Sequence, residues 1–171
     1  LEFRRVLFRS LRWLDRLGRW LDETSAPDRP VVLGGDYNIA PADEDVWDPA
    51  ALDGGTHVTA AERDALARLR AWGLADAFRL RDPGPGRFSW WDYRAGMFHR
   101  NEGMRIDLLY VSAPVAARVV WTDVDRTARK GPPTPSDHAP VLIDLDEPGA
   151  AIDTGWSGTL ERIAARTRPR G

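Results

Sequence analysis

An α/β fold is the class this sequence predicts, with α+β layering as its near neighbour. Three observations carry the prediction. Short strand-like apolar runs recur at 31–33, 106–111, 119–124 and 141–145. Helical periodicity occupies 7–21 and 59–72. A helix and long loops separate the strands, which makes α/β or α+β layering the natural class. The length of 171 residues suits one domain with a sizeable core. A hydrophobic share of 43% and a charged share of 29% exclude a disordered or collagen-like chain.

The elements follow in chain order. Residues 1–10, LEFRRVLFRS, set Arg4, Arg5 and Arg9 among apolar residues but lack a signal peptide's apolar centre and cleavage site. They read as a helix start, or as an atypical leader left by a broken gene end. Leu7, Leu11, Leu14, Leu17 and Leu21 then recur at spacings of four and three, one face of an amphipathic helix that Pro27 and Pro30 stop. Val31-Val32-Leu33 ends in Gly34-Gly35, the pattern of a buried strand that stops at a tight turn. Thr59-x-x-Glu62 is a capping-box pattern, and Ala65, Leu66, Leu69 and Trp72 continue it to Gly73, a C-cap. The aromatic segment Phe88–Tyr93 lies between Gly86 and Gly96 and reads most simply as a core strand. Ile106, Leu108 and Tyr110 alternate with Asp107, Leu109 and Val111, a third strand pattern, and 119–124 and 141–145 supply two more. Residues 126–137 (RTARKGPPTPSD) form a polar, Pro-rich loop, and 147–171 read as a flexible tail whose Arg162, Arg166, Arg168 and Arg170 are taken as disordered.

Composition also removes function classes. The chain has no cysteine, which excludes a disulfide scaffold, a thiolate nucleophile and a Cys-based zinc site. No apolar run reaches the roughly 18 residues of a membrane span. A formal charge of −2 argues against a generally basic nucleic-acid coat.

Four clusters of residues could carry chemistry. In Gly34-Gly35-Asp36-Tyr37-Asn38, small residues let the backbone approach a ligand. Asp36 and Asn38 are two apart, so extended chain points them the same way. A carboxylate and an amide together suit a hard cation such as Mg²⁺ or a phosphate beside it, although an Asx turn explains the pair equally well. Asp107 is an acid inside an apolar strand pattern; a solvent-facing strand residue is its plain explanation. Ser136-Asp137-His138 places an imidazole beside a carboxylate just before the last strand, able to donate a proton, touch a phosphate or bind a metal. His57 and His99 lack such company and read as structural or exposed. Finally, Trp90 and Trp91 with Arg87, Arg94 and Arg100 are either core aromatics or a surface that stacks on bases.

Taken together, GGDYNIAP (34–41), FSWWDYR (88–94), RIDLLYVS (105–112) and SDHAPV (136–141) resemble the exonuclease III type of bacterial apurinic/apyrimidinic endonuclease, within the endonuclease/exonuclease/phosphatase superfamily. WDP (47–49) and HVTAAER (57–63) fit the same group. The resemblance implies a four-layered α/β sandwich with a mixed sheet packed by helices. It spans only the C-terminal portion, residues 11–146, since the early Asn, the metal-binding Glu and the Tyr of the family have no counterpart here. One half alone would expose an apolar sheet face and unpaired strand edges.

By the same resemblance, Asp36, Asn38, Asp107 and His138 are the catalytic residues. Asp36 positions the attacking water, Asn38 holds the phosphate or shares a metal position, Asp107 orients His138, and His138 contacts the phosphate. Asp36, Asn38, Asp137 and His138 are the metal-site candidates, and Trp90, Trp91 and Arg94 the substrate-binding ones. The implied cofactor is Mg²⁺, with Mn²⁺ as the alternative. The implied partner is double-stranded DNA with abasic sites or 3′ ends, acted on in the bacterial cytoplasm with no membrane and no obligate protein partner. Two other readings stand beside this one: an inactive half-domain that binds nucleic acid weakly, and a superfamily phosphodiesterase acting on another phosphate ester.

Overall fold

The computed structural model describes residues 2–81 and 84–167, without the side chains of 2–6 and 167. The order is α1 (Glu2–Thr24), β1 (Val32–Asp36), α2 (Pro49–Leu52), α3 (Ala60–Trp72), β2 (Leu74–Asp76), α4 (Ala77–Arg81), α5 (Met97–Arg100), β3 (Asp107–Ser112), α6 (Ala113–Ala116), β4 (Val119–Val124), β5 (Val141–Leu145) and α7 (Thr159–Thr167). The class is therefore α/β as predicted. Two small sheets are present, β1-β3-β2 and β4-β5. Every pairing among the described strands is antiparallel, so the mixed strand directions implied by the resemblance do not occur within these five strands.

The leucine stripe does what its spacing predicts. Leu14 and Leu21 are buried against Leu66 and Leu69 of α3 and against Leu108 and Tyr110 of β3. The helix runs from Glu2, through the first ten residues without a break. The α3 boundaries follow the predicted capping box: Thr59 Oγ1 accepts from the Glu62 N–H at 3.3 Å, and the Glu62 carboxylate accepts from the Thr59 N–H at 3.0 Å. Gly73, with φ of 121°, ends the helix.

Period-two alternation makes β3 the central strand. Leu108 and Tyr110 face the α1/α3 layer, while Leu109 and Val111 join Ile143 and Leu145 of β5 in a separate cluster on the opposite face. The central sheet thus lies between a helical layer and the second sheet. Strand β1 is at the edge of its sheet, and there the sequence reading needs correction. The strand does not stop at Gly34-Gly35 but runs on to Asp36, and it is largely exposed, Val32 being 49% accessible. The glycine at 34 answers to packing across the ladder: a Cβ there would lie 2.7 Å from Leu109 Cδ2.

The C-terminal segment departs from the expected flexible tail. Trp156 is buried with Phe78, Phe88 and Trp91, and its Nε1 donates to the Val124 carbonyl at 2.7 Å. Thr154 Oγ1 donates to Asp123 Oδ2 at 2.6 Å, and α7 adds Leu160 to the same cluster. A single anchoring aromatic orders this stretch without the periodicity that would have announced it. Arg162 reaches Thr159 Oγ1 at 2.7 Å; Arg168 and Arg170 lie outside the described residues. The loop 126–137 is likewise more structured than its composition suggests, with a 3₁₀ turn at Arg126–Arg129 and both arginines buried.

Burial of Tyr37 between α1 and the sheet has a measurable consequence. Loss of solvent, and secondarily the Asp76 charge, push its phenol from 10.0 up to about 12. Between these values the unfolded chain has released the proton while the folded one still holds it, so stability falls as pH rises through that window. The loss amounts to roughly 2–3 kcal/mol across two pH units at 1.36 kcal/mol each. Tyr37→Phe is expected to flatten this alkaline limb. Urea midpoints compared at pH 8, 10 and 11.5 test it, and parallel pH profiles for the two proteins would refute it.

Candidate active site

The site is assembled by strand register. In the antiparallel β1/β3 pair, Asp36 lies directly opposite Asp107, so two carboxylates meet at the end of the ladder. His138 arrives from the other direction. Segment 88–91 pairs with both 104 and 137–139: Trp90 bridges Met104 and His138, Ala139 N–H donates to Ser89 O at 2.7 Å, and Trp91 N–H donates to Asp137 O at 3.1 Å. These bonds deliver the imidazole onto Asp107, whose two oxygens accept from His138 Nδ1 at 2.9 and 3.1 Å.

Asp36, Asp107 and His138 each offer a ligand atom, and these atoms all lie within 4.8 Å of one another. Asp107 and His138 open onto a cleft of about 410 Å³ lined also by Gly34, Gly35, Ser136 and Pro140. Burial pushes the Asp107 carboxyl above the usual carboxylate range, and the nearby Asp36 charge pushes the same way. Hydrogen bonds from His138 and Ser89 oppose the shift without cancelling it. The donor set is two carboxylate oxygens with one imidazole, in a place where like charges already crowd. That chemistry fits a hard or borderline divalent cation.

Asn38 stands beside the cluster. Its backbone N–H and its Nδ2 donate to the two oxygens of Asp36, both at 2.8 Å. The pair thus forms the Asx turn, and the turn sets the Asn38 amide against the Asp36 carboxylate. Asp137 is placed differently from expectation. Its Oδ2 accepts from Trp90 Nε1 at 3.0 Å, and it is not among the three clustered ligand residues, because the 136–138 backbone turns its neighbour, His138, towards Asp107.

The aromatic segment divides. Trp90 is half-buried and ties Asp137 down. Trp91 is fully buried, packed edge-on to Phe98 at 5.2 Å and bonded through Nε1 to Asn101, so it is a core residue and cannot stack on a ligand. Arg94 is at the surface with its side chain 87% exposed, paired to Asp92, whose carboxyl it holds down at about 2.

Three contributors were not legible as such in the sequence. Ser89 is fully buried, and its Oγ accepts from the N–H groups of Ile106 and Asp107 at 3.1 and 3.0 Å, fixing the start of β3. Arg105 is buried between Asp45 and Asp76, at 2.6 and 2.7 Å. His57 reaches the Asn38 carbonyl. An arginine within an apolar strand pattern was the one available signal, since such a residue must find buried carboxylates.

The endonuclease/exonuclease/phosphatase family model matches residues 4–138, from α1 through the last residue of the cluster. The chain belongs to this family. It is 34% identical over 139 residues to exodeoxyribonuclease III of Haemophilus influenzae, covering 75% of this chain and 51% of that protein. An AP endonuclease from Archaeoglobus fulgidus superimposes with a TM-score of 0.75 at 31% identity, over 80% of this chain and 53% of that one. A 3′-5′ exonuclease of Neisseria meningitidis does so with a TM-score of 0.73 at 37% identity, again over 80% and 53%. This family member thus spans about half the length of the relatives it matches, and the antiparallel sheets and helices described above are their fold over that half. Among the described residues no helix is long and apolar enough to cross a membrane.

Proposed function

We propose that this chain carries part of the active site of a divalent-metal-dependent DNA-repair nuclease that hydrolyses phosphodiesters at abasic sites and 3′ ends. The observation that carries the reading is the triad of Asp36, Asp107 and His138, whose ligand atoms lie within 4.8 Å of one another, with Asp107 and His138 lining a cleft. Relatives named as exodeoxyribonucleases and AP endonucleases support DNA as the substrate. Asp36, held by Asn38, orients the attacking water. Asp107 accepts from His138 Nδ1–H and supports the imidazolium form, whose Nε2–H donates to a phosphate oxygen as negative charge grows there. Mg²⁺ or Mn²⁺ held by Asp36 and Asp107 would neutralise charge on the phosphate. Arg94, exposed at the surface, serves the DNA backbone.

The test is a chimera in which this chain replaces the aligned segment of the Haemophilus influenzae enzyme. It is expected to incise abasic duplex DNA in Mg²⁺, and Asp36→Asn is expected to reduce the rate by about 10²–10³. A chimera that folds but never cuts, or an Asp36→Asn variant at full rate, would refute the assignment. Coverage of half the relatives' length favours a second reading for the chain by itself, namely DNA binding without cutting. That behaviour would show as salt-dependent affinity with no Mg²⁺-dependent product.

A further inference from the structure

We infer that His57 is a positioning residue: by holding the Asn38 carbonyl, its ring keeps Asn38 in the conformation that delivers its amide to Asp36. The inference rests on the proposed reading of Asp36 and Asn38 as site residues. Asn38 and His57 are both non-glycine residues with left-handed backbone, at φ of 53° and 78°. Such conformations are disfavoured and persist only where the surroundings hold them.

Here the holding contacts are mutual. His57 Nδ1 lies 2.5 Å from Asn38 O, and the Ala40 N–H donates to His57 O at 2.8 Å. A carbonyl only accepts, so Nδ1 carries the proton. The far side of the clasp is equally anchored. The His57 N–H donates to Glu62 Oε1 at 3.3 Å, and Glu62, 1% exposed, is the capping-box acid of α3. On the near side, both oxygens of Asp36 are taken by Asn38 at 2.8 Å. A continuous chain therefore runs from the N-terminus of α3 through Glu62, His57 and Asn38 to the Asp36 carboxylate. Across the two loops the imidazole holds the Asn38 carbonyl itself, while Arg63 Nε donates to the Ala40 carbonyl two residues on, at 3.2 Å.

Asn adopts left-handed backbone more readily than most residues, so the ring could in principle be dispensable. Substitution separates the alternatives. Glycine accepts a φ of 78° without strain, so His57→Gly preserves the loop backbone and removes only the ring. His57→Gln restores a donor that can reach the same carbonyl. The measurement is hydrogen exchange of the Asn38 amide in the ¹⁵N-labelled chain without divalent cations, followed by Mn²⁺ titration.

His57→Gly is expected to speed Asn38 exchange about tenfold and to weaken Mn²⁺ binding about tenfold, the lower end of the effect of removing a residue that orients metal ligands. His57→Gln is expected to recover most of both. Wild-type Asn38 exchange in the glycine variant overturns the inference, as does weakened Mn²⁺ binding with exchange unchanged. Failure of the functional reading looks different. Mn²⁺ would then leave the Asp36 and Asn38 resonances of the wild type unbroadened, while Asn38 exchange would still judge His57.

Discussion

Arg105→Met is expected to destabilise the protein by about 3–5 kcal/mol, the cost of breaking a buried ion pair from one side. Arg105 is 1% exposed, and its guanidinium donates to Asp45 at 2.6 Å and to Asp76 at 2.7 Å while lying 4.7 Å over the Phe78 ring. Burial disfavours its charge, but the two carboxylates more than reverse this and hold its proton more tightly than usual. Methionine would fill much of the volume and, among the described residues, leave buried Asp76 with no cation in contact and Asp45 with Arg79 as its cation. Typical domains have only 5–15 kcal/mol of stability to lose. Urea denaturation would show a lower midpoint at unchanged slope. Adding Asp76→Asn should return part of the loss, because the uncompensated charge is the main penalty. A single variant within about 1 kcal/mol of the parent would disprove the argument.

The second large effect separates stability from chemistry at one residue. Asp107→Asn in the chimera is expected to lower the incision rate by about 10³ or more, since an amide neither fixes the His138 tautomer nor supports its positive charge. In the chain without divalent cations, the same change is expected to be stabilising above the usual carboxylate range. The sign follows from the raised Asp107 pKa. The folded state holds this proton at pH values where the unfolded chain has released it, so the wild type loses stability as pH rises through that interval. Asparagine stays neutral throughout and escapes the loss. Thermal unfolding in EDTA at pH 4 and pH 7 reads the difference. A variant less stable than the wild type at pH 7 would mean that the His138 bond outweighs the burial of the charge.

What could be read from residues alone was whatever depends on neighbours in the chain. The leucine stripe of α1, the Thr59/Glu62 box, the Gly73 stop and the limits of β4 and β5 are local patterns of period 3.6 or 2, and the structure has each of them. Asp36, Asn38, Asp107 and His138 were legible as well, but through a family resemblance; singly, each had a plainer explanation. Trp91 shows the limit of that route. Motif position marked it as a DNA contact, whereas its full burial against Phe98 and Trp156 makes it part of the core.

Patterns within a few residues of the chain set the fold class, the capped helix α3, the lack of thiols in these residues and the candidates for holding a phosphate or a cation. Tertiary packing alone brings some of them together. Asp36 faces Asp107 through the β1/β3 register, His138 is delivered by the 88–91 and 137–139 pairing, and Asp137 is drawn off to Trp90. It also ordered the segment around Trp156, buried Arg105 between two acids, and set His57 on Asn38. The reason is range. Helical periodicity and caps are interactions over three or four residues, written into adjacent letters. Strand register and buried ion pairs join positions such as 36 and 107, or 45 and 105, whose meeting depends on the packing of everything between them.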